Sequence, residues 1–269
     1  MTIATLLVHL DGSARCGARL DLAVDLARRH DARLTGLFAE IAPPQRVGTV
    51  ARWPSGDYVA RVAAVRALFA EHAGALGDRA RFIDLDRGGE HTVVLRAVEY
   101  ATSFDLVVVG GYEAEGHVPA DLAEHLLLET GRPVLIVPPF GAFAHVGARP
   151  LFAWHRSRSA ARALGDALPL IEPGAEALVV EAVRAGEEGD EMAGLTLERL
   201  AAHGVVAEWR KVPMEGVDLM DTLLNQAADH GADLLVAGAF DRSGFSLFGG
   251  GAGTRYLLRH TTLPVLLAN

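Results

Sequence analysis

The chain has a single cysteine, Cys16, among its 269 residues. One thiol excludes an internal disulfide and any metal site built of cysteines alone, and it reads as a small buried side chain rather than a redox centre. Long apolar runs are also missing: none approaches the roughly 18 residues that cross a bilayer. The run at residues 3–10 is interrupted by His9, stopped by Asp11 and Gly12, and has no basic flank. It reads as a strand and not as an export signal. Basic charge is short as well, with 25 Lys and Arg against 34 Asp and Glu and a formal net charge of −9. An acidic surface repels phosphate backbones, which excludes nucleic acid as the expected partner. These deficits lead to the expectation of a cytoplasmic protein without a membrane or nucleic-acid partner.

What the chain does have is a near-repeat. Residues 104–110 (FDLVVVG) are followed by 132–137 (RPVLIV), and residues 232–238 (ADLLVAG) by 263–267 (LPVLL). Each half opens on an apolar strand, 5–10 or 150–154, then a polar turn and a helix rich in Ala, Leu and Arg. In the first of these helices Leu20, Ala23, Val24 and Ala27 recur at amphipathic spacing. Second strands are expected at 33–38 and 177–183, and third strands at 81–85 and 205–212. Helices are expected at 58–76, 187–203, 91–102 and 218–230. Residues 105–110 and 233–238 are continuous aliphatic runs, as parallel strands covered on both faces require. The alternation predicts an α/β fold with an open parallel sheet in each half. With 50% hydrophobic residues, two cores are affordable. Residues 138–149, rich in Pro and Gly, read as the linker between domains at 1–140 and 149–269. Residues 41–55 read as a surface loop.

Ligands of such sheets gather at the carboxyl ends of the strands, where the strand order reverses. Only the second half carries a glycine-rich segment there, residues 241–255 (DRSGFSLFGGGAGTR). The phosphate loop GxxxxGK[ST] is absent. A dinucleotide fingerprint would directly follow the first strand, and these glycines do not, so a Rossmann oxidoreductase is excluded. What remains is a loop running from Gly238 to Gly251, Ala252, Gly253 and Thr254, then a helix over 255–260. Glycine N–H groups and a helix start suit an anion. Thr254 could donate to the anion or cap the helix. A flexible turn without a ligand is the competing reading.

The order and content of these segments resemble the universal stress protein family in its tandem form, over essentially the whole chain. The family's nucleotide pattern is G-x-x-G, nine residues, then G-[S/T], commonly with a Thr two positions on. Gly238, Gly251 and Thr254 match it, and residues 242–250 supply the spacer. Asp241 replaces the second glycine, and Ala252 the Ser/Thr. A carboxylate near triphosphate oxygens repels them unless Mg²⁺ intervenes. The lost hydroxyl costs on the order of 1.5–3 kcal/mol. In the first half the pattern begins at Gly110 and does not continue. Asp11 matches the family's acidic position beside the adenine or ribose, and its second-half counterpart is His155. Turn and helix-capping chemistry is the plainer role for Asp11.

The resemblance implies two doubly wound, Rossmann-like (adenine nucleotide alpha hydrolase-like) domains packed as a pseudo-dimer through their last strands, with further homodimerisation left open. It implies a non-catalytic stress-response protein that binds ATP, with or without Mg²⁺, in its second domain and acts on an unidentified protein partner. The alternatives are a ligand-free interaction scaffold and a slow ATP hydrolase, for which Asp241 is the one loop candidate. Eleven histidines form no HExxH or tight cluster, no serine sits in a GxSxG setting, and no pair of carboxylates stands out. Neither a metal nor catalysis is expected.

Overall fold

The aliphatic runs LVVVG and LLVAG form strands whose first four residues are buried, and the aspartate just before each ties it to a neighbour. Asp105 Oδ2 accepts the Ala4 and Thr5 backbone N–H groups, both at 2.9 Å. Asp233 accepts those of Ala148 at 2.8 Å and Arg149 at 3.0 Å. The same device thus fixes the register of the central strands in both halves.

The computed structural model describes residues 2–42, 45–47, 50–52, 54–85, 88–113, 116–183, 188–213, 219–240 and 251–269. The chain divides into two units, Thr2–Ala144 and His145–Asn269. In the first, strands β1 (Thr5–Leu10), β2 (Arg33–Phe38), β5 (Ala80–Asp84), β6 (Leu106–Gly110) and β7 (Val134–Val137) form a sheet in the order β7-β6-β1-β2-β5. Every pairing in it is parallel. Helices α1 (Cys16–Arg29), α2 (Gly56–Ala73), α3 (Glu90–Ala101) and α4 (Leu122–Glu129) make the connections. Residues 41–55, expected to be loop, include a short antiparallel hairpin of β3 (Gln45–Val47) and β4 (Val50–Arg52).

The second unit repeats the plan. Strands β8 (Pro150–Trp154), β9 (Glu176–Val183), β10 (Val206–Pro213), β11 (Leu234–Gly238) and β12 (Val265–Ala268) run in the order β12-β11-β8-β9-β10, again all parallel. Helices α5 (Arg158–Ala167), α6 (Ala193–Ala202), α7 (Leu219–His230) and α8 (Ala252–His260) connect them. Most of the expected elements lie within one or two residues of these bounds. Helix α6 starts several residues later than the 187–203 expected, because Asp190 Oδ1 accepts the Met192 N–H at 2.9 Å. That side-chain turn competes with helix nucleation. In each unit the strand order reverses between the first strand and the one that ends in glycine, β1 and β6 or β8 and β11. Those two points are where an α/β sheet leaves room for a ligand.

Candidate functional site

At the second unit's reversal point, two helix starts converge on the ends of β8 and β11. Ser157 caps α5 by accepting the Ala160 N–H at 3.2 Å, and its Oγ lies 3.2 Å from Ser159 Oγ. A Cβ on Gly238 would stand 2.6 Å from the Ala160 nitrogen, so only glycine lets the first turn of α5 press against β11. Opposite, α8 begins at Ala252, with Gly251 as its N-cap in the left-handed region at φ 89°. A Cβ there would overlap the Phe240 ring. The helix thus starts three residues earlier than the sequence suggested, and Ala252, Gly253 and Thr254 form its first turn rather than a loop. Thr254 does not cap the helix. Its Oγ1 accepts the Phe240 N–H at 2.9 Å.

Between these elements lies a cleft lined by Gly238, Gly251, Ala252, Gly253 and Thr254, by Ser157 and Ser159, and by apolar side chains including Ala153, Ala160, Met220, Leu223 and Leu257. Two helix starts bring partial positive charge to one place. The hydroxyls add polar contacts on an otherwise apolar wall. The arrangement suits an anionic group attached to an apolar body. The cavity measures about 30 Å³, against roughly 10–15 Å³ for one water. His155 follows β8 and is half-buried, but is not among the lining residues. Asp241 lies outside the described residues.

The first unit fills its reversal point differently. Asp11, 4% exposed, and Arg19, 2% exposed, form an ion pair with Arg19 Nη2 at 2.7 Å from Asp11 Oδ2. Asp11 Oδ1 accepts the Ser13 N–H at 3.0 Å, which is the turn chemistry expected of it. His9 is also buried, with Nε2 donating to the Ala39 carbonyl at 2.9 Å and Nδ1 at 3.7 Å from Asp11 Oδ2. Burial pushes the Asp11 carboxyl up, but the charge of Arg19 and the hydrogen bonds from Ser13 and Arg19 outweigh it and hold the group well below the usual carboxylate range. Burial lowers the His9 imidazole, so near neutral pH it stands uncharged beside the ion pair. Gly110 ends β6 directly against Arg19, where a Cβ would overlap Nη1.

Two of the buried charges went unnoticed in the sequence. Arg19 sits three residues after Cys16 and four before Ala23, on the stripe that α1 buries, and a charge on that stripe is the signal that could have found it. Glu40, also buried, accepts the Gly12 N–H at 2.6 Å and Arg61 Nε–H at 2.7 Å. Elsewhere in the second unit, Trp154 Nε1 donates to Asp190 at 2.9 Å and Trp209 Nε1 to Glu181 at 3.0 Å. The two indoles meet edge to face at 6.1 Å. Among the described residues no group of three or more His, Cys, Asp or Glu could hold a metal ion, and no helix is long and apolar enough to cross a membrane.

The two units are therefore α/β domains of the doubly wound kind, with their candidate site at the strand-order reversal. The chain has the fold of the universal stress proteins. A universal stress protein from Archaeoglobus fulgidus DSM 4304 superimposes with a TM-score of 0.74 at 18% identity, over 98% of this chain and 96% of that one. A protein of unknown function from Pseudomonas aeruginosa PAO1 is similar with a TM-score of 0.59 at 17% identity, over 99% and 92% of the two chains. No protein-family model and no curated protein matches the sequence.

Proposed function

We propose that the protein is a stress-response protein of the universal stress type, working in the cytoplasm without catalytic turnover, with one adenine-nucleotide site in its second domain. The observation that carries this reading is the convergence of the α5 and α8 starts on the cleft between Gly238 and residues 251–254. Two helix starts, two serine hydroxyls and glycine backbone suit phosphate oxygens, while Met220, Leu223 and Leu257 offer an apolar wall. ATP is the proposed ligand, with Mg²⁺ as the counter-ion that would let Asp241 stand near a triphosphate. Binding would act through a population shift toward the surface shown to a protein partner, limited by the ligand's differential affinity for the two states.

The test is mass spectrometry of the small molecules released when freshly purified protein is denatured, followed by titration with ATP and Mg²⁺. Stoichiometric ATP or ADP supports the reading. An empty protein that also fails to take up ATP with Mg²⁺ rejects it. The paired changes Asp241→Gly and Ala252→Ser should tighten ATP binding; unchanged affinity would move the triphosphate elsewhere. A second reading, a ligand-free interaction scaffold, is favoured by one observation. The enclosed part of the cleft, about 30 Å³, would hold only about two or three waters, so a nucleotide would have to lie mostly outside it. Slow hydrolysis would need phosphate release that Asp241→Ala abolishes.

A further inference from the structure

Strand β10 is the last strand of the second unit's sheet. It pairs in parallel with β9 over all eight of its residues, Val206–Pro213, with no bulge in the register. The Val206 N–H donates to the Ala175 carbonyl at 2.9 Å, which sets the parity of the strand. The backbone groups of Val206, Glu208, Arg210 and Val212 therefore face β9, and those of Ala207, Trp209 and Lys211 face away. Among the described residues no strand pairs with that outer side. Pro213, which has no N–H to offer, ends the open stretch. Such an edge is a template for another strand unless proline, bulges or charge blunt it. Here the proline comes last, there is no bulge, and the charges are of both signs: Glu208, Arg210 and Lys211.

The order of those charges selects one way of adding a strand. Consider a second copy of β10 laid antiparallel against the first about a two-fold axis. An axis at Glu208 or at Arg210 sets that residue opposite its own copy, and like charges directly opposite are destabilising. An axis at Ala207 or Lys211 shortens the ladder and sets Glu208 opposite Val206, or Arg210 opposite Val212. An axis at Trp209 behaves differently. It sets Glu208 opposite Arg210 and Val206 opposite Val212, each twice. It also makes Trp209 with its copy, and Ala207 with Lys211, the hydrogen-bonded pairs, and these are the residues whose backbone groups face outward. Glu208 and Arg210 then form the non-hydrogen-bonded pairs, in which side chains come closest.

We infer that β10 is a self-association edge, through which two copies of the chain pair antiparallel about a two-fold axis at Trp209. The occupant is a second copy because the charge order of β10 is complementary to its own reverse, as a two-fold interface requires. Glu208 is exposed and already accepts from Arg210 Nη2 of its own chain at 2.8 Å. In the pair each Glu208 lies between two guanidinium groups, so acids and bases alternate across the axis. Arg210 also donates to Gln226 of α7 at 3.0 Å, which holds it at the strand. On the other face Trp209, its indole fixed by Glu181 at 3.0 Å, meets Trp209 of the second copy.

The experiment is analytical ultracentrifugation of the full chain, with circular dichroism to check that each variant folds. The wild type is expected at twice the 28.5 kDa of one chain. Ala207→Pro removes an outward N–H, leaves the β9 ladder intact, and should give a monomer. Glu208→Arg sets like charges opposite each other and should do the same. Adding Arg210→Glu to Glu208→Arg restores opposite charges in the Trp209 register and in none of the others, so the dimer should return. A monomeric wild type, a dimer that survives either single change, or a double change that fails to restore it overturns the inference. Where Ala207→Pro does not fold, Glu208→Arg, at an exposed side chain, carries the comparison. None of these residues lines the cleft between α5 and α8, so the outcome is independent of the nucleotide reading.

Discussion

Thr254 Oγ1 accepts the Phe240 backbone N–H at 2.9 Å, joining the residue just past the end of β11 to the first turn of α8. The bond spans fourteen residues of chain and places the helix start beside Gly238. Phe240 itself has φ 52°, uncommon for a residue with a bulky side chain, so this hydrogen bond helps hold a conformation the residue does not favour. Thr254→Val should cost about 1–3 kcal/mol, the range for an orphaned buried donor, and Thr254→Ser should recover most of it. Urea unfolding of the two variants gives the comparison. A loss in Thr254→Ser with none in Thr254→Val would mean that the methyl group and not the hydroxyl matters.

The ion pair of the first unit should behave as a coupled unit. Arg19→Ala leaves a carboxylate buried without its partner and is expected to cost about 3–5 kcal/mol. Asp11→Asn/Arg19→Ala should cost distinctly less than the two single changes combined. A double-mutant cycle by denaturant unfolding measures the coupling, and additive losses would show that the two groups do not depend on each other.

His9 gives the protein a predictable response to acid. Its folded-state pKa lies below the ordinary 6.5, chiefly through burial. The unfolded chain therefore takes up this proton first as pH falls. The contribution of His9 is fully present above about pH 6.5 and is lost below it, at a slope of at most about 1.4 kcal/mol per pH unit. His9→Gln should flatten the stability profile between about pH 6.5 and 5 relative to wild type. Asp11 follows the acid rule in a lower window: its depressed pKa keeps its contribution intact until pH falls below about 4. Parallel profiles for His9→Gln and wild type would show that the imidazole is not held neutral.

Gly251 is the residue of the second-unit cleft with the least freedom to change. At φ 89°, and with Phe240 where a Cβ would lie, Gly251→Ala should cost about 1–3 kcal/mol in backbone strain. It should also shift the start of α8. Any ATP–Mg²⁺ uptake by the second unit should fall with it, as measured by titration calorimetry, while Gly253→Ala should disturb stability less. Retention of both stability and uptake in Gly251→Ala would mean that α8 tolerates another start.

Much of this was legible because the relevant residues obey one rule at a time. Residues 106–110 and 234–238 are aliphatic throughout and could be little but central parallel strands. Gly238, Gly251, Ala252, Gly253 and Thr254 could be grouped by spacing, and they do line one cleft. The start of α8 was hidden because Ala252 and Gly253 follow a run of glycines and read as loop, and only tertiary packing makes them helical. The hairpin at 45–52 escaped because three-residue strands leave no period to recognise. Arg19 was overlooked for a different reason. Its long side chain begins on an apolar stripe and reaches a partner eight residues back in sequence, a geometry that composition treats as a surface charge.

The ion pair also bears on descent. If the two halves arose from one ancestral unit, the first half crossed into its present state by acquiring a cation and an anion that are each harmful without the other. Loss of either now exposes the chain to the penalty of a lone buried charge, so selection opposes both single steps back. The first half is held where it is by mutual dependence, while the second, with His155 and Ala163 at the positions that match Asp11 and Arg19 when counted from the ends of β8 and β1, stays free to change either residue singly.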